Sequence, residues 1–312
     1  MSTYRVIFMG TADFSVPTLK ALHENQYDVL AVVTQPDRPK GRGRRLVPPL
    51  VKEVAGTLGY PVLQPHRIKE PWFVEKIIDL NPDIFVVVAY GRILPGSFLS
   101  IPRIGAINIH ASLLPKYRGP APVQWAIINR EQETGITTMW MDEGMDTGDI
   151  LMSSKVLIRQ DDTSGSLHHR VADVGAHLLI ETLTKLKSGN LIGKPQDKLG
   201  ATYVPLLKKE DGRIDWSLDA KSLEAFIRGM NPWPGAFTIL FGKRLKILKV
   251  KDLEKRAKEK PGTVLEGFPG EFNVATDRGI LALKEVQLES AKRLPVIDFL
   301  RGCAVPAGTL LG

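Results

Sequence analysis

Ile84-Phe-Val-Val-Val-Ala89 is the most β-rich run in the chain. It has strand length and is apolar throughout. A strand without polar alternation is buried on both faces, as in a parallel sheet covered by helices. Working outward, Arg5-Val-Ile-Phe-Met9 ends at Gly10, and Val29-Leu-Ala-Val-Val33 and Gly105-Ala-Ile-Asn-Ile-His110 repeat the pattern. Helical periodicity lies between them. Residues 15–25 set Val16, Leu19 and Leu22 on one face, and 51–58 and 72–80 read as further helices.

Strands alternating with helices predict an α/β fold with a Rossmann-like, doubly wound, mainly parallel sheet. Ligands of such sheets bind at the carboxyl ends of the strands. Residues 135–141 and 151–158 read as two strands joined by a polar, glycine-containing loop. A long helix over 163–187 follows, with Asp162, Thr163 and Ser164 as cap candidates and Gly189 after its end. The texture then changes. Gly193, Pro195, Gly200 and Pro205 mark an irregular linker. A helix over 218–228 stops at Asn231-Pro-Trp-Pro-Gly235, and short strands follow at 236–241, 245–250, 262–266, 272–275 and 280–286. That pattern predicts a small OB-like β-barrel. The expected organisation is a catalytic domain over 1–190, a linker over 191–206 and a barrel over 207–312.

The length of 312 residues suits two domains. With 43% hydrophobic and 24% charged residues, a mainly disordered or fibrous chain is excluded. No apolar run approaches the ~18–20 residues of a membrane-spanning helix. The single cysteine, Cys303, cannot form an internal disulfide or a multi-cysteine metal site. The amino terminus lacks the apolar stretch of a signal peptide and the Arg/Ser-rich pattern of a transit peptide, so a cytoplasmic setting is expected. The net charge of +8 permits an acidic partner without requiring one.

The chemistry gathers after the strands. Asn108 and His110 are two residues apart and so share one side of their strand. An amide can donate to a developing oxyanion, and imidazole suits proton transfer near neutrality. The loop Met141-Asp-Glu-Gly-Met-Asp-Thr-Gly148 adds Asp142, Glu143 and Asp146. An aspartate from it can orient the imidazole and help move a proton. Each element has a plainer reading: a structural histidine, a turn-capping asparagine, a solvated acidic hairpin. His168, His169 and His177 share one predicted helix, but no metal-ligand pattern accompanies them, and no metal is expected.

Two segments concentrate positive charge. Arg38-Pro-Lys-Gly-Arg-Gly-Arg-Arg45 holds five basic residues and no acid, with glycines and a proline that argue for a loop. It is not a phosphate loop, because no Gly-Lys-Ser/Thr follows. Residues 243–260 hold nine basic and three acidic residues. Either segment can be a solvated polar turn or a track for a nucleic-acid backbone.

Gly105-Ala-Ile-Asn-Ile-His-Ala-Ser-Leu-Leu-Pro-Lys-Tyr-Arg-Gly119, followed by Gly135-Ile-Thr-Thr-Met-Trp-Met-Asp-Glu-Gly-Met-Asp-Thr-Gly-Asp149, resembles the signature of the folate-dependent formyltransferases. Gly10-Thr-Ala-Asp-Phe14, Thr34-Gln-Pro-Asp-Arg-Pro-Lys-Gly-Arg-Gly43, Val87-Val-Ala-Tyr-Gly91 and Asn231-Pro-Trp-Pro234 extend the resemblance over nearly the whole chain, closest to the branch that formylates methionyl-tRNA. Ala12 and Ala111 depart from residues frequent in the family, proline and glycine. The resemblance implies formyl transfer from 10-formyltetrahydrofolate to the α-amino group of methionyl-tRNA, with Asn108, His110 and Asp146 catalytic. It implies a folate pocket from Ala89, Tyr90, Gly91 and Ile93, the segment Ser112, Leu113, Leu114 and Pro115, and Asp142 and Gly144. Ile93 and its neighbour Leu94 retain the plainer reading of core residues. It further implies tRNA contacts through Arg38, Lys40, Arg42, Arg44 and Arg45, and through Lys243, Arg244, Lys246 and Lys249. A monomer with no membrane partner is expected. The alternatives are a relative acting on an amino-sugar nucleotide, a formyltetrahydrofolate hydrolase, and a catalytically idle tRNA-binding module.

Overall fold

The computed structural model describes residues 3–40 and 45–312. The chain divides into two compact units: Met1–Gly119, Thr134–Leu157 and His168–Val204 in the first, and Pro120–Glu133, Ile158–Leu167 and Pro205–Gly312 in the second.

The elements begin with β1 (Arg5–Gly10), α1 (Val16–Glu24), β2 (Asp28–Val33), β3 (Arg38–Lys40), β4 (Arg45–Val47), α2 (Leu50–Thr57), β5 (Val62–Leu63) and α3 (Pro71–Asp79). They continue with β6 (Ile84–Val88), α4 (Gly96–Leu99), β7 (Gly105–His110), α5 (Pro122–Ile128), β8 (Glu133–Trp140), β9 (Ile150–Leu157) and α6 (Ser164–Lys187). The last are α7 (Ala220–Met230), β10 (Phe237–Leu240), β11 (Lys243–Asp252), β12 (Asn273–Thr276), β13 (Gly279–Leu288), β14 (Arg293–Pro295) and α8 (Val296–Gly302).

Among the described residues, the first unit carries a seven-stranded sheet in the order β5-β2-β1-β6-β7-β8-β9. β6 lies at its centre, parallel to both β1 and β7, and all five of its residues are buried. Each such side chain contributes about 1.5–3 kcal/mol by leaving water, so this strand anchors the sheet. β8 runs antiparallel to β7, which makes the sheet mixed and the fold Rossmann-like. Chain connections leave β1 toward β2 on one side and return to β6 on the other. The carboxyl edge between β1 and β6 is therefore the topological switch point, where crevices form in such sheets.

The basic segment expected as a loop is framed by a short antiparallel ladder instead. Arg38 pairs with Val47, Pro39 with Leu46 and Lys40 with Arg45. Residues 41–44, with both glycines of the segment, lie outside the described residues.

In the second unit, β10-β11-β13-β12 form an antiparallel sheet with β14 added on β13, the barrel-like half of the fold. Its core includes Leu223, Ile227 and Met230 of α7, Leu245 and Ile247 of β11, and Phe272 and Phe299. The strand expected at 262–266 is reduced to single bridges, Thr263 with Leu310 and Val264 with Val274. Gly262 at φ +86° breaks the extended backbone at its start. The expected helix over 218–228 begins at Ala220. Asp219 caps it, accepting from the Ser222 backbone N–H at 3.0 Å, a bond that holds the Asp219 carboxyl below the usual carboxylate range. α7 crosses α5 at Gly229, where a Cβ would sit 2.5 Å from Ile128. Only glycine permits that approach.

Candidate active site

β7 ends in the alternation Asn108-Ile109-His110. Ile109 faces the core and is buried, so the pleat turns both polar side chains the other way. His110 is only 6% exposed. The loop between β8 and β9 brings Asp146 to both residues. Its Oδ2 lies 3.5 Å from His110 Nδ1, and its Oδ1 accepts from Asn108 Nδ2 at 3.4 Å. Oδ2 also accepts from the Gly119 backbone N–H at 2.8 Å. The other imidazole nitrogen, Nε2, is 2.9 Å from the Tyr117 carbonyl. A carbonyl can only accept, so Nε2 carries a proton whenever that bond is made. Both imidazole nitrogens thus face acceptors, and an amide, an imidazole and a carboxylate meet at one strand end.

Two loops hold this arrangement. After β7, the Ser112 hydroxyl donates to the Lys116 carbonyl at 2.6 Å, which closes the turn. Thr137 of β8 donates to the Ser112 carbonyl and accepts from the Leu114 N–H, at 2.7 and 3.2 Å. The Ser112 side chain is therefore spent on the loop, and Leu114 is buried. In the second loop Asp142 Oδ1 accepts from the Gly144 N–H and the Thr147 hydroxyl, at 3.0 and 2.7 Å. A Cβ at Gly148 would stand 1.9 Å from the Trp140 carbonyl. The loop can return to the sheet only through a glycine.

The segment after β6 presents backbone. Ala89 and Gly91 have left-handed φ of +45° and +77°. The Tyr90 carbonyl accepts from Thr11 Oγ1 and Gln35 Nε2, at 3.0 and 2.8 Å. The Tyr90 phenol points into the core, where burial pushes its pKa up to about 12. Among the described residues its hydroxyl has no hydrogen-bond partner, so it is no proton carrier. Ile93, open to a core reading in the sequence, is 80% exposed, whereas Leu94 is buried.

A cavity of about 610 Å³ opens at the ends of β1, β2 and β6, walled by Thr11, Gln35, Arg38 and Ala89 among others. Gln35 is a residue the sequence reading passes over. It is buried, its amide donates to Tyr90 and Gly91, and its carbonyl oxygen accepts from Arg38. Its position directly after β2, at the carboxyl edge, is the signal that marks it.

The predicted basic contacts fall in two places. Arg38 and Arg45 belong to β3 and β4 and are exposed. Arg42, Arg44 and the side chain of Lys40 lie outside the described residues. On β11, Lys243 and Lys249 are exposed, and Arg244 and Lys246 are partly so. Arg244 lies 3.9 Å over the Phe237 ring. His168 packs against Phe14, with its pKa lowered first by burial and then by His169. Among the described residues, no group of three His, Cys, Asp or Glu side chains is arranged to hold a metal.

An amide, an imidazole and a carboxylate meet at the carboxyl edge of a Rossmann-like sheet, an arrangement of an α/β enzyme class suited to stabilising an oxyanion and moving a proton. The comparisons with known proteins narrow it. Residues 4–183 match the formyl transferase family model and residues 206–304 its C-terminal domain model, and the chain belongs to that family. It is 51% identical over 312 residues to the methionyl-tRNA formyltransferase of Geobacter metallireducens, covering all of both chains. It is 52% identical over 309 residues to that of Pelotomaculum thermopropionicum, covering 99% of this chain and 98% of the relative. Among solved structures, an N-formyltransferase from Helicobacter canadensis in complex with folinic acid and dTDP-3-aminofucose superposes with a TM-score of 0.69. It is 18% identical, and the match covers 94% of this chain and all of that one. HypX from Aquifex aeolicus in complex with tetrahydrofolic acid gives 0.65 at 20% identity, over 96% of this chain but 47% of HypX. The chain thus spans about half the length of HypX.

Proposed function

We propose that this protein transfers the formyl group of 10-formyltetrahydrofolate to the α-amino group of methionyl-tRNA, giving the formylated initiator for translation. The observation that carries the reading is end-to-end identity near 50% with curated methionyl-tRNA formyltransferases, joined to the meeting of Asn108, His110 and Asp146. The reaction forms a bond between the amino nitrogen and the formyl carbon and breaks the bond from that carbon to folate N10. The amine loses a proton and N10 gains one. Asn108 Nδ2 donates to the formyl oxygen as charge builds there, a role whose removal typically costs about 10²–10³ in rate. His110 carries the proton, worth about 10²–10⁴. Asp146 orients the imidazole and helps to move the proton.

The folate sits against the backbone of Ala89 and Gly91, exposed Ile93, the segment 112–115 and the loop bearing Asp142 and Gly144. The polar backbone of these segments suits the donor and acceptor edge of a pterin. The tRNA acceptor end meets Arg38, Lys40, Arg42, Arg44 and Arg45. Lys243, Arg244, Lys246 and Lys249 follow its backbone through charge. A cytoplasmic setting, where charged tRNA and reduced folate are both supplied, fits this reading. Arg42→Ala tests the tRNA assignment. It raises KM for methionyl-tRNA and leaves KM for folate unchanged, and an equal rise in both would overturn it.

A further inference from the structure

The Asp146 carboxylate is not held by its own loop alone. Asp146 has a φ of +56°, a left-handed conformation that a non-glycine residue keeps only when its surroundings impose it. Part of that constraint comes from residue 196, fifty positions along the chain. Gln196 Nε2 donates to the Asp146 carbonyl at 2.9 Å and to the Gly148 carbonyl at 2.7 Å. Its Oε1 accepts from Arg118 Nε and Nη2, at 3.1 and 2.7 Å. That pair of donors fixes the amide, because a flipped Gln196 would turn its NH₂ toward the guanidinium and its oxygen toward two carbonyls.

Arg118 is only 4% exposed, and among the described residues its guanidinium bonds to neutral groups. Besides Gln196, Nη1 donates to the Tyr203 hydroxyl at 2.8 Å, with the guanidinium 5.6 Å from that ring. The Arg118 backbone N–H donates to Thr202, and its carbonyl accepts from Val204. Its two neighbours in sequence touch the chemistry. The Tyr117 carbonyl meets His110, and the Gly119 N–H meets the Asp146 carboxylate. Asp146 is therefore gripped from both ends, by Gly119 at the carboxylate and by Gln196 at the backbone.

We infer that Gln196, oriented by Arg118, is a positioning residue that holds Asp146 against His110. The inference rests on the proposed role of Asp146 in formyl transfer. Without the two amide donors, the peptide at Asp146 is free to leave its left-handed conformation, which swings the carboxylate from the imidazole. Misplacement of a reacting group by about 1 Å can cost on the order of 10²-fold in rate.

The test uses Gln196→Glu, which keeps the size and gives Arg118 a carboxylate but removes both donors to the loop. Gln196→Met, which removes them without adding charge, is measured in parallel so that the result does not hang on the folding of one variant. With 10-formyltetrahydrofolate and methionyl-tRNA, kcat falls about tenfold to a hundredfold while both KM values stay within twofold. On an Asp146→Ala background the same substitutions cause no further loss. A kcat within twofold of the parent in either folded variant overturns the inference. So does an equal further loss on the Asp146→Ala background, which would mean that Gln196 acts elsewhere. If Asp146→Ala alone retains the parent kcat, the functional reading fails instead.

Discussion

Thr137→Val alters one atom in the support beneath the site, and its cost follows from the contacts. Thr137 is fully buried and stands opposite His110 in the β7–β8 ladder. Its hydroxyl donates to the Ser112 carbonyl at 2.7 Å and accepts from the Leu114 N–H at 3.2 Å. Valine fills the same volume and satisfies neither group. Each buried backbone group left unpaired costs about 1–3 kcal/mol, so losing both partners destabilises by about 2–6 kcal/mol. Thr138→Val is the matched control. The Thr138 hydroxyl meets Thr182, which keeps its own bond to the Leu178 carbonyl at 2.7 Å, and it reaches the Met152 carbonyl only at 3.5 Å. The expected loss is about 1 kcal/mol. Urea unfolding of parent and variants gives both values. A loss below 1 kcal/mol for Thr137→Val, or one equal to the control, would refute the reasoning that this hydroxyl ties the loop after β7 to the sheet.

Further outcomes are open to measurement. His110→Ala lowers kcat by about 10²–10⁴ and Asn108→Ala by about 10²–10³, with KM for methionyl-tRNA nearly unchanged. Pre-steady-state kinetics separates binding from transfer. Burial lowers the pKa of His168 in the folded protein, whereas in the unfolded chain the ring takes up a proton near pH 6.5. Stability is therefore full above pH ~6.5 and declines as pH falls below it, and His168→Leu flattens the fall in Tm between pH 7.5 and 5.5; an unchanged slope counts against the assignment. Binding of methionyl-tRNA weakens steeply with salt. Lys249→Ala, on the exposed part of β11, reduces the log–log slope by about 1, and an unaltered slope removes Lys249 from the interface.

The legible parts of the fold are those whose cause is local. β6 follows from an unbroken apolar run, β7 from apolar residues alternating with Asn108 and His110, and the end of α7 from Asn231-Pro-Trp-Pro-Gly235. The direction of β8 is not local. The same residues pair either way, and nothing within the strand selects the antiparallel pairing with β7. The β3–β4 ladder is hidden because arginines, proline and glycines suppress the usual strand signal. At the site, the shared side of Asn108 and His110 follows from the two-residue period of a strand, and Asp146 from an acidic loop that must return to the same edge. The Arg118–Gln196 contact has no such signature. Its partners lie 78 residues apart, and each reads alone as an ordinary surface polar residue. Gln35 shares that anonymity, and only its place at the end of β2 distinguishes it.

Incubation of the purified protein with 10-formyltetrahydrofolate and charged methionyl-tRNA, followed by quantitation of formylmethionine, tests the central claim most directly. The account predicts turnover that depends on Asn108, His110 and Asp146. Absence of formylmethionine alongside formylation of an amino-sugar nucleotide, or release of free formate instead, would contradict it.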